Sequence, residues 1–167
     1  MDRVAIFVDV QNIYYTTRQA FGQQFDYRQF WAEVTEDRKV VAAFAYAIDR
    51  ENAKQKSFQQ ILRDIGFEVK LKPFIQRRDG TAKGDWDVGI ALDVMDFAEQ
   101  VDTIVLASGD GDFDLAMLRA HSRYGVETEV YGVRSLTAGS LIQSASRYVP
   151  IESNLLLVNN HRNSVDR

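Results

Sequence analysis

Asp9, Asp87, Asp110 and Asp112 are the residues whose type and placement could do chemistry in this chain. Asp9, with Asn12 close behind, ends the apolar run Val4-Ala5-Ile6-Phe7-Val8. Ser108-Gly109-Asp110-Gly111-Asp112 ends a second such run, Thr103-Ile104-Val105-Leu106-Ala107, and Asp85-Trp86-Asp87 opens a helical stretch ahead of it. Runs this short and rich in β-branched residues read as buried strands of a parallel sheet, and such sheets bind ligands at their carboxyl ends. If the two strands are neighbours, the four carboxylates share one crevice, and like charges that close cannot all stay ionised without a cation. The chain has no cysteine and only two histidines, His121 and His161, which leaves oxygen ligands and a hard cation, Mg2+ or Mn2+. Such ions hold a scissile phosphate, acidify an attacking water and stabilise a leaving oxygen.

Any one Asp after a strand is equally well read as a helix cap or turn former. The combination carries the inference, because two glycines flank Asp110 and Asp112 and would free the backbone to turn both toward one point. Asp87 lies four residues before Ala91 and eight before Met95, so it extends the expected inward stripe of its helix. Asp85 and Asp93 fall on the flanks of that stripe and Asp96 opposite, so Asp85 and Asp93 are read as supporting positions. Asn12 could bridge a carboxylate or a phosphate oxygen, or act only as a local cap. Ser108 has no histidine placed as its base and is read as orienting the site. Lys83 could meet a phosphate or balance the acids.

The segment ahead of Asp87 is locally basic on a chain whose net charge is -4: Lys70, Lys72, Arg77, Arg78 and Lys83 stand against Asp79. With Phe74 and Trp86 among them, these residues could form a platform of cations and stacking rings for single-stranded RNA. They could equally be protective lysines on a wet edge strand, with Trp86 in the core.

A length of 167 residues suits one domain, expected over residues 1–152 with a polar tail at 153–167. No apolar stretch reaches the roughly 20 residues of a membrane span, and the chain enters a strand at once without a signal peptide, so a cytoplasmic, membrane-free protein is expected. Along the chain, helical spacing is expected at Ile13, Thr17, Ala20 and Phe21, and at Tyr27, Phe30, Trp31 and Val34 behind an Asp26–Gln29 capping box. Strands at 40–48 and 67–71 bracket a helix with Phe58, Ile61, Leu62 and Ile65 inward. Val88, Ala91, Leu92, Met95 and Ala98 make the next core stripe. A fifth strand at 126–133 precedes a short helix at 136–144 and a terminal extended piece at 148–151. The alternation predicts a three-layer, doubly wound α/β domain with a mainly parallel sheet ordered 3-2-1-4-5, strands 1 and 4 flanking the switch point.

Three segments carry a resemblance: Phe7-Val8-Asp9-Val10-Gln11-Asn12, Lys83-Gly84-Asp85-Trp86-Asp87-Val88-Gly89-Ile90-Ala91-Leu92-Asp93, and Ser108-Gly109-Asp110-Gly111-Asp112-Phe113. In order and position they resemble the motifs of the NYN domain family, specifically its LabA-like bacterial branch, over roughly residues 1–150. The resemblance implies a PIN-like (Rossmannoid) nuclease fold and a metal-dependent ribonuclease, expected to act as an Mg2+- or Mn2+-dependent endoribonuclease. It carries Asp9, Asn12, Asp87, Asp110 and Asp112 as the site, with Lys83, Asp93 and Ser108 in support and Asp85 at a variable position. RNA is then the expected partner, and a second copy of the chain a further candidate. Two other classes stay open. One is a non-catalytic RNA-binding or regulatory module that keeps a metal for folding. The other is an aspartyl-phosphate phosphotransferase, disfavoured because Asp9-Val10-Gln11 lacks a second Asp and Val8-Asp9 lacks an acidic pair.

Overall fold

Apolar runs without alternation need cover on both faces, and the sheet receives it. The computed structural model describes residues 1–158 apart from 74, 77–81 and 84, with the backbone alone at 75–76 and 82–83. Six strands form the main sheet: β1 (Asp2–Asp9), β2 (Arg38–Asp49), β3 (Glu68–Pro73), β4 (Thr103–Ala107), β5 (Glu127–Gly132) and β6 (Arg147–Pro150). Their order is β3-β2-β1-β4-β5-β6 and every pairing is parallel. The order 3-2-1-4-5 is therefore found, and the piece expected as a terminal extension is a sixth strand, Tyr148 pairing with Val130. A two-residue antiparallel ladder, Ile75–Gln76 against Ala82–Lys83, stands apart from this sheet.

Helices α1 (Val10–Phe21), α2 (Tyr27–Thr35) and α3 (Ala53–Ile65) cover one face, where Ile13, Phe30, Val34 and Leu62 pack with Val4, Ile6 and Val8 of β1. Helices α4 (Asp87–Ala98), α5 (Asp114–Tyr124) and α6 (Gly139–Ser144) cover the other, where Ile90, Val94, Met117 and Leu141 pack with Ala5 and Phe7. Each fully buried Ile, Leu, Val or Phe side chain contributes about 1.5–3 kcal/mol, so β1, buried on both faces, anchors the fold and the residue that ends it, Asp9.

Several expected stripes rotate. In α4 the buried positions are Ile90, Val94 and Ala98, while Val88 and Leu92 are 72% and 61% exposed. This helix is apolar almost all round, so spacing admits two stripes; contacts of Phe97 with Phe7 and Phe44 choose between them. Ala20, Phe21 and Ile61 are exposed rather than inward, and α3 buries Gln59 instead. Asp26 does cap α2, its Oδ1 accepting from Gln29 N at 3.0 Å, but its own N–H goes to Leu155 O at 2.7 Å, so the box is not reciprocal.

That last bond belongs to a segment assigned to the tail. Leu155 and Leu156 are buried, and Leu157 N donates to Gln24 O at 2.8 Å, so packing continues past residue 152. The remainder of the expected tail, 159–167, lies outside the described residues.

Candidate active site

The strand register delivers the acids. β1 pairs with β2 on one side and β4 on the other, Val8 facing Ala107, so Asp9 and Ser108 leave the sheet together at the switch point. Ser108 Oγ donates to Asp9 Oδ2 at 3.1 Å and accepts from Asp110 N at 3.2 Å. Asn12 Oδ1 accepts from Gly109 N at 2.8 Å, which ties the first turn of α1 to the loop after β4. The capping roles are real as well: Asp9 Oδ1 accepts from Asn12 N at 3.4 Å, and Asp110 Oδ1 from Asp112 N at 2.9 Å.

The glycines act differently from expectation. Neither Gly109 nor Gly111 has positive φ. A Cβ at Gly109 would come within 2.8 Å of Leu136 O, and one at Gly111 within 2.8 Å of Ala138 Cβ. They permit close approach of the segment that braces the acidic loop, where Ala138 N donates to Gly109 O at 3.0 Å. Nothing in the local sequence marks residues 136–138 as that brace.

Carboxylate oxygens of Asp87, Asp110 and Asp112 lie within 4.8 Å of one another, the group of this kind among the described residues. Asp87 is brought in as the first residue of α4, Asp110 and Asp112 by the loop and 3-10 turn after β4. Asp9 stands outside this trio, 9% exposed and held by Ser108 and Asn12. Burial pushes the Asp9 carboxyl up to about 6, with Asp110 and Asp85 adding to the rise, against the Asn12 N–H and Ser108 hydroxyl, which favour its ionised form. Asp87 is pushed up to about 7, first by burial, then by the charge of Asp110 and a hydrogen bond to it, then by Asp85 and Asp9. The trio, rich in negative oxygen and poor in neutralising donors, fits a hard divalent cation; a softer metal would need the thiolates this chain lacks.

The supporting residues divide. Asp93 faces away from the trio into an ion pair with Lys70 Nζ at 2.7 Å and accepts from the Tyr46 hydroxyl at 2.7 Å. Lys70, expected on the RNA surface, is therefore engaged, and its Nζ also sits 4.2 Å from the Phe44 ring centre. Lys72 lies 4.5 Å over the Trp86 ring and donates to the Asp85 carbonyl at 3.2 Å. Trp86 is half-buried, its Nε1 donating to Ala47 O at 2.9 Å and its ring edge-on to Tyr46, so it is packed rather than a free platform. Asp85 is exposed. Arg77 and Arg78 lie outside the described residues, as does the side chain of Lys83. Tyr46, the partner of Asp93, has no mark in the sequence; it reads there only as one more aromatic in a buried strand.

Asp9, enclosed and doubly hydrogen-bonded, is poorly placed as a phosphate-accepting nucleophile, which tells against the phosphotransferase class. Comparison with known proteins bears on the remaining classes. The NYN domain family model matches residues 3–152. The chain is 31% identical over 160 residues to the low amplitude and bright protein LabA of Synechococcus elongatus, covering 89% of this chain and 83% of that one. A crystal structure of a Vibrio parahaemolyticus protein of unknown function is 53% identical with a TM-score of 0.89, covering 93% of this chain and 96% of the other. An Acinetobacter baumannii MurG structure, 13% identical with a TM-score of 0.51 over 95% of this chain and 44% of its own, shares the α/β fold alone.

Proposed function

Because the chain belongs to the NYN domain family, we propose that it is a metal-dependent ribonuclease that hydrolyses RNA phosphodiester bonds at its aspartate cluster. The observation that carries this reading is the convergence of Asp87, Asp110 and Asp112 within 4.8 Å, with Asp87 held up to about 7 by burial and by its acidic neighbours. Asp87, Asp110 and Asp112 would hold Mg2+ or Mn2+, with Asp9 behind them through Ser108. A bound ion of this kind supplies polarisation of the scissile phosphate and acidification of an attacking water. Asp9 sets the Ser108 hydroxyl, which in turn positions the Asp110 backbone, and Asn12 keeps the two catalytic loops in register. Asp85, outermost and exposed, adds negative field that favours ion capture.

The test is incubation of metal-free protein with end-labelled single-stranded RNA, with and without Mn2+. Cleavage that needs the ion and disappears in Asp110→Asn is expected. Tight RNA binding without cleavage of any of several RNAs would instead select the non-catalytic binding module. Among the described residues no helix is long and apolar enough to cross a membrane.

A further inference from the structure

A cavity of about 480 Å³ opens on the opposite side of β1 from α4, between α1, the start of α2, the end of β2 and α3. Its size falls in the range of about 300–1,000 Å³ typical of small-molecule sites. It adjoins the acidic site: Val10 and Gln11, the residues after Asp9, line it, and so does Ala47, whose carbonyl accepts from Trp86.

Its chemistry is the reverse of the crevice. Among the described residues no Asp or Glu lines it, on a chain of net charge -4, whereas Arg18, Arg50 and Lys54 do. Tyr14 and Phe58 supply ring surface; Arg18 reaches the Tyr14 hydroxyl at 2.6 Å, presenting an aromatic and a cation together. Gln59 is the most telling residue. It is 5% exposed, lines the cavity, and its side chain hydrogen-bonds no other described residue. No buried side-chain polar atom among the described residues is left without a partner, so the Gln59 amide must keep its access through the cavity. A buried amide costs free energy unless something satisfies it.

Rings to stack on, a buried amide that offers both donor and acceptor, and cations to neutralise a phosphate are together what an unstacked nucleotide requires. We propose that this cavity takes one base, with its adjoining phosphate, of the single-stranded RNA that is cut at the acidic trio. The RNA part of the assignment rests on the nuclease reading above.

Binding of a fluorescent, mixed-sequence single-stranded RNA is measured by anisotropy in EDTA, where cleavage cannot intervene, and cleavage is measured separately with Mn2+. Tyr14→Ala combined with Lys54→Ala alters exposed residues and should leave the melting temperature unchanged while weakening RNA binding about tenfold or more. Asp110→Asn should lose cleavage and keep binding. Gln59→Leu, checked for an unchanged melting temperature, should reduce discrimination among homopolymeric RNAs. Wild-type affinity in the Tyr14, Lys54 double variant overturns the cavity and leaves the nuclease standing if cleavage persists. Lost affinity in that variant of a protein that binds RNA but never cleaves it upholds the cavity and removes the nuclease. Absence of RNA binding by the wild type overturns the proposal. Uridine and adenosine monophosphates are titrated in parallel: affinity equal to that of the RNA would make this a mononucleotide site and overturn the assignment to a strand.

Discussion

Asp87 and Asp93 sit six residues apart on α4, both half-buried, and meet opposite surroundings. Asp93 faces Lys70 and the Tyr46 hydroxyl, each at 2.7 Å, so its charge is answered within the protein. Asp87 faces Asp110 and Asp112, and the answer to its charge has to come from outside. The first arrangement holds an edge strand, β3, to a helix. The second raises the energy of the folded, metal-free protein and is worth keeping only where a cation, or a reaction, uses it. Motif position does not separate the two residues; partners do.

The largest effect that could break this contrast is on turnover. Asp87→Asn and Asp110→Asn should each lower single-turnover RNA cleavage by more than the roughly 100-fold that loss of an outer partner of a metal site can reach, with RNA affinity little changed. Turnover equal to wild type in either variant would remove the trio from the chemistry. Ser108→Ala, which cuts the link between Asp9 and the Asp110 backbone, should cost about 10–100-fold in Mn2+ affinity or activity, read by calorimetric titration beside the same cleavage assay.

Asp93→Asn should behave in the opposite way. It should lower stability by about 1–2 kcal/mol, since the pair with Lys70 is only partly sealed from solvent, and leave cleavage per folded molecule unchanged. Denaturant midpoints with cleavage rates decide it; a fall in turnover at constant stability would move Asp93 into the site.

The smallest effect is on pH dependence. In the metal-free protein both Asp9 and Asp87 have raised carboxyl pKa values, about 6 and about 7, so the folded state binds their protons more tightly than the unfolded chain does. Their contribution to stability is full below the unfolded value near 4 and is lost as pH rises through the folded values. The melting temperature of Asp87→Asn, which carries no such charge, should therefore gain on wild type as pH rises from 4 to 8, and saturating Mn2+ should shrink the gain by stabilising wild type more. A constant difference across that range would mean that the acids are not coupled as described.

Much of this was legible in the chain. The unbroken apolar runs at 4–8 and 103–107 could be satisfied only by a sheet covered on both faces, and such a sheet gathers the residues just beyond its strand ends along one edge; Asp9, Ser108, Asp110 and Asp112 were readable for that reason. The order 3-2-1-4-5 came from right-handed crossovers between alternating strands and helices. Short strands at the margin carry little signal, so Arg147–Pro150 was recognisable only as extended, and Leu155-Leu156 could not be seen to pack against Phe25 and Asp26.

What tertiary structure alone decided is which groups meet. Periodicity gives each side chain a direction about its own axis, but α4 is apolar around most of its circumference, and its rotation was set by Phe97 against Phe7 and Phe44. That rotation gives Asp93 its lysine and Asp87 its acids. Lys70 and Trp86, readable as an RNA surface, were drawn inward by Asp93 and by the Ala47 carbonyl for the same reason. The cavity beside β1 had no signature in sequence, because Tyr14 comes from α1 while Lys54 and Gln59 come from α3, and no spacing links the two helices. The local chain determines what each residue can do; the long-range contacts, such as the Asp9–Ser108 hydrogen bond between residues 99 positions apart, determine with whom it does it.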